Sequence, residues 1–167
     1  MLSRVDFAPL LTARLRLEPV TTEMARGVVA GDLSVLAAAG LTAAEGWPHD
    51  DTVDGLTMPA KTGVPGGWLI VAGDAVIGDA GTHGPVDEAG NIEIGYGLAA
   101  ASRGQGYGSE AVAAITEWLL TQPEVRRIRA TTLTDNMPSR RVLEKAGFAY
   151  TGVEDNEAVY QQDAPGN

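Results

Sequence analysis

Residues 92–109 read IEIGYGLAAASRGQGYGS, a strand, a glycine-rich turn and a helix start in succession. Ile92, Ile94 and Tyr96 alternate with Glu93, Gly95 and Gly97, which is the period of a strand. Two glycines inside a strand mark a bulge or a close approach by another group. From Ser109 to Leu120 the period changes. Ala111, Val112, Ile115, Trp118 and Leu119 share one helical face, and Pro123 stops the helix. Between the two lies Arg103-Gly104-Gln105-Gly106-Tyr107-Gly108-Ser109. Glycines at a helix start let a ligand approach the backbone, and the unpaired N–H groups with the helix dipole suit a phosphate. Arg103 adds a fixed positive charge.

Three phosphate motifs compete with the plainer reading of a glycine-rich loop that holds nothing. A P-loop fails because no Gly-Lys-Ser/Thr follows. A dinucleotide G-x-G-x-x-G is a near miss, since Gly104 and Gly106 are followed by Ser109. That motif also closes the first strand of a parallel unit, whereas hairpin-rich chain precedes it here. Arg-x-x-Gly-x-Gly is filled by Arg103, Gly106 and Gly108.

Upstream, Gly67–Ala72 and Ala75–Ala80 read as strands joined by the hairpin dipeptide Gly73-Asp74, and a second hairpin around Asp87–Asn91 leads into Ile92. Thr12–Val20 has strand alternation, and Thr21-Thr22-Glu23 starts a helix carrying Met24, Val28 and Val29. Asp32–Pro65 is the least readable part: one short helix ends near Ala39, and Gly46-Trp47-Pro48-His49-Asp50 reads as a loop. Downstream, Val125–Leu133 is a strand. Asn136 caps a helix with Pro138 in its first turn and Gly147 at its C′ position, where Phe148 can contact Leu143. Phe148–Val153 and Ala158–Gln162 are closing strands. The order gives a mixed α/β or α+β fold.

Composition bounds the class. The chain has 167 residues and 22 acidic against 12 basic side chains, a net charge of −10. That is the size of one domain, expected to span 1–167, and a chain of ~150 residues buries roughly 70% of its surface on folding. The absence of cysteine removes disulfides, thiolate metal sites and thiol nucleophiles. The charge speaks against a general nucleic-acid binder and favours cationic or amine-bearing partners. No apolar run approaches the ~18 residues of a membrane helix, and MLSRVDFAPL lacks a signal-peptide core, so a cytoplasmic location with no membrane partner is expected.

The chain resembles the GNAT superfamily of acyl-CoA-dependent N-acetyltransferases, closest to the branch containing ribosomal-protein N-terminal acetyltransferases. Four motifs carry the resemblance in order over about residues 66–155: Glu93-Ile94-Gly95-Tyr96, Arg103–Gly108, Asn136–Ser139 and Gly147-Phe148. The resemblance implies a largely antiparallel sheet, splayed at the acyl-CoA site and flanked by helices. It implies that the N–H groups of Gln105, Gly106, Tyr107, Gly108 and Ser109, with Gly104 and Arg103 beside them, hold the CoA pyrophosphate. Tyr96-Gly97-Leu98 would pair with the pantetheine arm, and Asn136 would contact that arm or the acceptor, although it also suits a helix cap. Ser139 would sit near the thioester sulfur, or be only a polar first-turn residue. Many members carry a tyrosine four residues after the Ser139 position, and here it is Leu143. Ser139 would then serve as acid, or the thiolate would leave without a protein donor.

The implied reaction is direct attack of a neutral amine on acetyl-CoA, with no metal. Freeing an α-amine of pKa ~8 at pH 7 costs about 1 kcal/mol, against nearly 5 for lysine at ~10.4. Glu93 would bind the amine or accept its proton through a water relay, being too weak for direct abstraction; a surface strand glutamate is the plainer reading. The acceptor is expected to be a primary amine, with a protein or peptide N-terminus as the first candidate. The alternatives are a small-molecule amine such as a polyamine, aminoglycoside or amino acid, and a non-catalytic acyl-CoA-binding module. His49 and His83, the only histidines, read as ordinary loop residues, and Trp47 as packing that also walls the acceptor cleft. Arg126, Arg127 and Arg129 read as a solvated face or a partner for the CoA 3′-phosphate. Homodimers are common in families like this.

Overall fold

The computed structural model of the chain describes residues 7–64 and 66–166. The reading of MLSRVDFAPL as lacking a signal-peptide core falls in part, over residues 1–6, outside the described residues, and so does the Pro65 end of the least readable segment. The elements are β1 (Leu10–Leu11), β2 (Arg16–Pro19), α1 (Thr22–Ala30), α2 (Ser34–Ala37), β3 (Thr42–Ala43) and α3 (Asp50–Thr62). There follow β4 (Gly67–Ala72), β5 (Ala75–Thr82), β6 (Asn91–Leu98), α4 (Tyr107–Leu120), β7 (Arg127–Leu133), α5 (Met137–Lys145), β8 (Ala149–Glu154) and β9 (Glu157–Asp163).

The strands form one sheet in the order β1-β2-β4-β5-β6-β7-β9-β8, with β3 beside β5. Along that order every pairing is antiparallel except β6 with β7. Both faces are covered. On one, Ile92, Ile94, Leu98, Ala111, Val112, Ile115, Ile128 and Leu143 pack under α4 and α5. On the other, Val28, Leu36, Trp47, Leu56, Leu69 and Val71 pack under α1–α3. The alternation of Leu69 and Ile70 between the two clusters is the strand period expressed as two cores.

The parallel pair positions the site. Its ladder runs from Asn91–Arg127 to Ile94–Ala130 and stops. Beyond Ile94, β6 stays with β5 as far as Leu98, while β7 stays with β9 as far as Leu133. The sheet therefore opens between Gly95–Leu98 and Thr131–Leu133.

Sequence expectation and structure differ most in α3. Gly55 and Pro59 inside the segment mask a 13-residue helix that is held by its ends. His49 and Thr52 form a reciprocal capping box at the start, and Asp50 and Asp51 complement the dipole there. The Thr12–Val20 strand shrinks to Arg16–Pro19, with Leu10–Leu11 returning as a short partner.

Candidate active site

The glycine turn folds as its composition requires. Gly104 and Gly106 have φ of +78° and +83°, a region costly for residues with a Cβ, and Gly106 is the N-cap of α4 with no side-chain cap. The first N–H groups of α4 thus lack intrahelical partners and point out of the helix beside the sheet opening. A Cβ on Gly108 would lie 3.3 Å from Val142 and 3.5 Å from the Tyr96 ring, so this glycine lets α4 pack closely on α5 and β6.

Two cations flank the turn. Arg103 donates from Nε to the Leu98 carbonyl at 3.2 Å. Arg14, read from sequence only as a polar strand position, crosses to the turn. It donates to the Gln105 carbonyl at 2.9 Å and to Glu110 at 2.8 Å, and its guanidinium lies 4.4 Å over the Tyr107 ring. Burial favours the neutral form of Glu110, but hydrogen bonds from Thr12 and Arg14 and the Arg14 charge outweigh it and lower its pKa.

At the other edge of the opening, Asn136 caps α5 by accepting from the Ser139 N–H at 3.2 Å, leaving its amide NH2 for other partners. Ser139 Oγ lies 3.1 Å from the Tyr96 hydroxyl. Burial pushes the Tyr96 phenol up, against smaller opposing effects of the Ser139 hydrogen bond and the Arg103 charge. Leu143, where the resemblance implied a tyrosine in many members, is 1% exposed and belongs to the core. A phenol nevertheless reaches the Ser139 position, supplied by β6 instead of α5.

Glu93, Gly95 and Gly97 face away from α4 and α5, as the alternation requires. Glu93 meets His83 at 3.0 Å and Arg129 at 3.7 Å, and Arg129 donates to Glu154 at 2.7 Å. His83 lies over Gly95 and His49 over Gly97. Trp47 is buried beside them and donates to Asp79 at 2.9 Å, which also accepts from Thr52 at 2.6 Å. A cavity of about 410 Å³ opens beside His83, with Met58, Pro59, Val64, Thr82 and Pro85 in its wall.

The expected residues thus fall on the two sides of one opening. The turn Arg103–Ser109, Tyr96, Asn136 and Ser139 lie toward α4 and α5, and Glu93 lies on the opposite, glycine-lined face. The reading of His49 and His83 as ordinary loop residues and of Arg14 as a polar strand position did not foresee that they pack on Gly97, Gly95 and the glycine turn. Their one signal was the close approach that Gly95, Gly97 and Gly106 demanded, without the identity of what approaches. The arginines expected as a solvated face are paired in part: Arg127 with Asp163 at 2.6 Å, and Arg129 with two glutamates. Among the described residues no His/Cys/Asp/Glu cluster could hold a metal, and no helix is long and apolar enough to cross a membrane.

Residues 14–149 match the acetyltransferase (GNAT) domain family. An uncharacterized N-acetyltransferase of Bacillus subtilis strain 168, YjdG, is 31% identical over 146 residues, covering 82% of this chain and 87% of that protein. The RimL ribosomal-protein α-N-acetyltransferase, solved with coenzyme A, superposes with a TM-score of 0.67 at 16% identity, over 96% of this chain and all of the other. An aminoglycoside acetyltransferase solved with coenzyme A and kanamycin gives 0.62 at 23% identity, over 89% and 94%.

Proposed function

The chain belongs to the GNAT acetyltransferase family, and from that premise we propose that it moves the acetyl group of acetyl-CoA onto the free α-amine of a protein or peptide. That it is an N-acetyltransferase of this type follows from the family; the acceptor is our reading. The observation that carries it is the opening of the sheet after Ile94, with the glycine turn at one end and a carboxylate face on the other.

In this reading the pyrophosphate of acetyl-CoA sits on the N–H groups of Gln105–Ser109 with Arg103 beside them. The pantetheine arm takes the backbone of Tyr96–Leu98 that β7 leaves free, and Asn136 meets it from the α5 start. The residues fit such a group: Gly104 and Gly106 keep the seat free of side chains, and both flanking cations, Arg14 and Arg103, are in place. The thioester then lies where β6 and β7 part, between Ser139 on one side and Glu93 on the other. Ser139, hydrogen-bonded to a Tyr96 phenol that burial keeps protonated, gives a proton to the leaving sulfur. The amine approaches across the glycine face, where Glu93, Asp79 and Glu154 supply negative charge for a cationic acceptor. An α-amine needs only about 1 kcal/mol to lose its proton at pH 7, so a site with no strong base suits it better than a lysine.

RimL acts on a ribosomal protein, and the aminoglycoside enzyme was solved with kanamycin, so this fold serves both kinds of amine. A panel of peptides with free or blocked N-termini, polyamines and aminoglycosides decides between them. The account expects turnover on free N-termini and none on the blocked peptides. Turnover confined to small amines would overturn the peptide reading and leave acetyl transfer standing.

A further inference from the structure

The two imidazoles on the glycine face of β6 are held in opposite tautomers. A Cβ at Gly95 would sit 2.9 Å from His83 Nε2, and one at Gly97 would sit 2.7 Å from His49 Cε1 and 2.8 Å from its Nε2. Each ring therefore rests on bare backbone, where a side chain on the strand would displace it. Both glycines lie in the part of β6 that has left β7.

His83 Nδ1 lies 3.0 Å from Glu93 Oε2. A carboxylate only accepts, so Nδ1 carries the proton, and the neutral ring keeps a lone pair on Nε2, the atom over Gly95. His49 is the reverse. Its Nδ1 accepts the Thr52 backbone N–H at 3.3 Å as the cap of α3. The Thr52 hydroxyl, 3.2 Å from the same nitrogen, donates its proton to Asp79. The His49 proton must then sit on Nε2, which is buried without a hydrogen-bond partner, 4.0 Å from Asp79 Oδ2. His83 thus keeps a lone pair and His49 a buried N–H, over glycines that lie two residues, roughly 6.7 Å, apart along the strand.

We infer that His83 Nε2 takes the proton from the attacking amine, with Glu93 as the positioning residue behind it. The inference rests on the acetyl-transfer reading above and puts an imidazole where a water relay from Glu93 was expected. As the amine nitrogen forms its bond to the thioester carbon, the carbonyl π pair moves to oxygen and one N–H proton passes to His83. The C–S bond then breaks, the C=O bond re-forms, and the sulfur leaves with the bonding pair and takes a proton from Ser139. Transfer of the His83 proton through solvent restores Ser139, so the products are the N-acetylated amine and the CoA thiol. Imidazole is by nature about a hundredfold stronger a base than a carboxylate, which fits it to the task near neutrality. The charged groups facing His83 are Glu93 from β6, Arg129 from β7 through Glu93, and Glu154 from β8 through Arg129. At 62% side-chain exposure His83 is open to an acceptor.

His83→Gln keeps a donor for Glu93 and removes the base. It should lower kcat/KM for the amine by about 10²–10³-fold and abolish the acid limb of its pH profile, while acetyl-CoA stabilises the variant as much as wild type. Glu93→Gln should slow turnover and keep that limb. His49→Asn preserves a good cap for α3 and should leave the limb in place. Imidazole nitrogen NMR of the wild type reads the tautomers without turnover: Nδ1–H for His83 and Nε2–H for His49. A reversed His83 tautomer overturns the inference. So does a wild-type rate and profile in His83→Gln with the limb lost in Glu93→Gln, and acetyl transfer survives either result. A wild type that acetyl-CoA does not stabilise removes the acetyl-transfer reading and the inference together.

Discussion

Gly106→Glu places a side chain and a negative charge in the seat assigned to the pyrophosphate. At φ +83° any Cβ costs about 1–2 kcal/mol in the left-handed region. With an unfolding entropy of roughly 2.1 cal/mol/K per residue, a 167-residue chain loses about 3–6 °C of midpoint for that cost. The new Cβ would lie 3.2 Å from Arg14 Nη2, so the carboxylate also recruits one of the two flanking cations. A unit charge about 4 Å from a phosphate charge costs about 4 kcal/mol at an effective dielectric of 20. Two-thirds of that weakens binding about 100-fold, at 1.4 kcal/mol per decade. The assay is thermal unfolding with and without acetyl-CoA. At 100 times the dissociation constant, ligand adds about 2.7 kcal/mol to the wild type, a rise of about 8 °C. In Gly106→Glu the same concentration should raise the midpoint by about 1 °C. Gly106→Ala separates the causes, since it carries the backbone cost without the charge and should keep most of the ligand shift. A full rise of about 8 °C in Gly106→Glu would show that the seat lies elsewhere.

Ser139→Ala and Tyr96→Phe should each lower kcat about 10–100-fold, and the double variant no more than the stronger single one, because the two hydroxyls form one donor chain; multiplicative losses in a double-mutant cycle would refute the chain. Because burial raises the Tyr96 pKa, the unfolded chain loses this proton first as pH rises past ~10, so stability should fall there. Tyr96→Phe should flatten that fall in alkaline unfolding scans. The Glu110 carboxyl is lowered, so its stabilising contribution is present above the ordinary glutamate pKa and fades as pH drops through the folded value. Glu110→Gln should therefore be less stable than wild type at neutrality and converge with it in acid. Leu143→Tyr, which introduces the tyrosine that the resemblance implies for many members, adds bulk and a hydroxyl to a filled core and should lower the midpoint by about 3–8 °C without raising kcat; a faster enzyme would make position 143 an acid position.

The second half of the chain was legible because each element carries an unbroken period and a terminal signal. Ser109–Leu120, Asn136 with Pro138, and Gly147-Phe148 all fold as read. The glycine turn was legible for a related reason: positive φ at Gly104 and Gly106 is a local need that composition reveals. The α3 region was not, because its helix survives Gly55 and Pro59 through end capping, and its cap is a histidine. The imidazole pair was hidden because its members are far apart in sequence. His49 comes from the α3 start and His83 from the strand β5 end, so their meeting over β6 exists only in the folded sheet. Gly95 and Gly97 recorded that something must come close. Only the structure says that it is two imidazoles.

The most direct test of the central claim is amine-dependent release of CoA thiol from acetyl-CoA by the wild-type chain, with the acceptor's mass followed alongside. The account predicts thiol release that requires both the protein and a free amine, matched one for one by an acceptor heavier by one acetyl group. Acetyl-CoA that stabilises the fold but releases no thiol above the uncatalysed rate with any amine would contradict it, and would make the opening between β6 and β7 a binding site without chemistry.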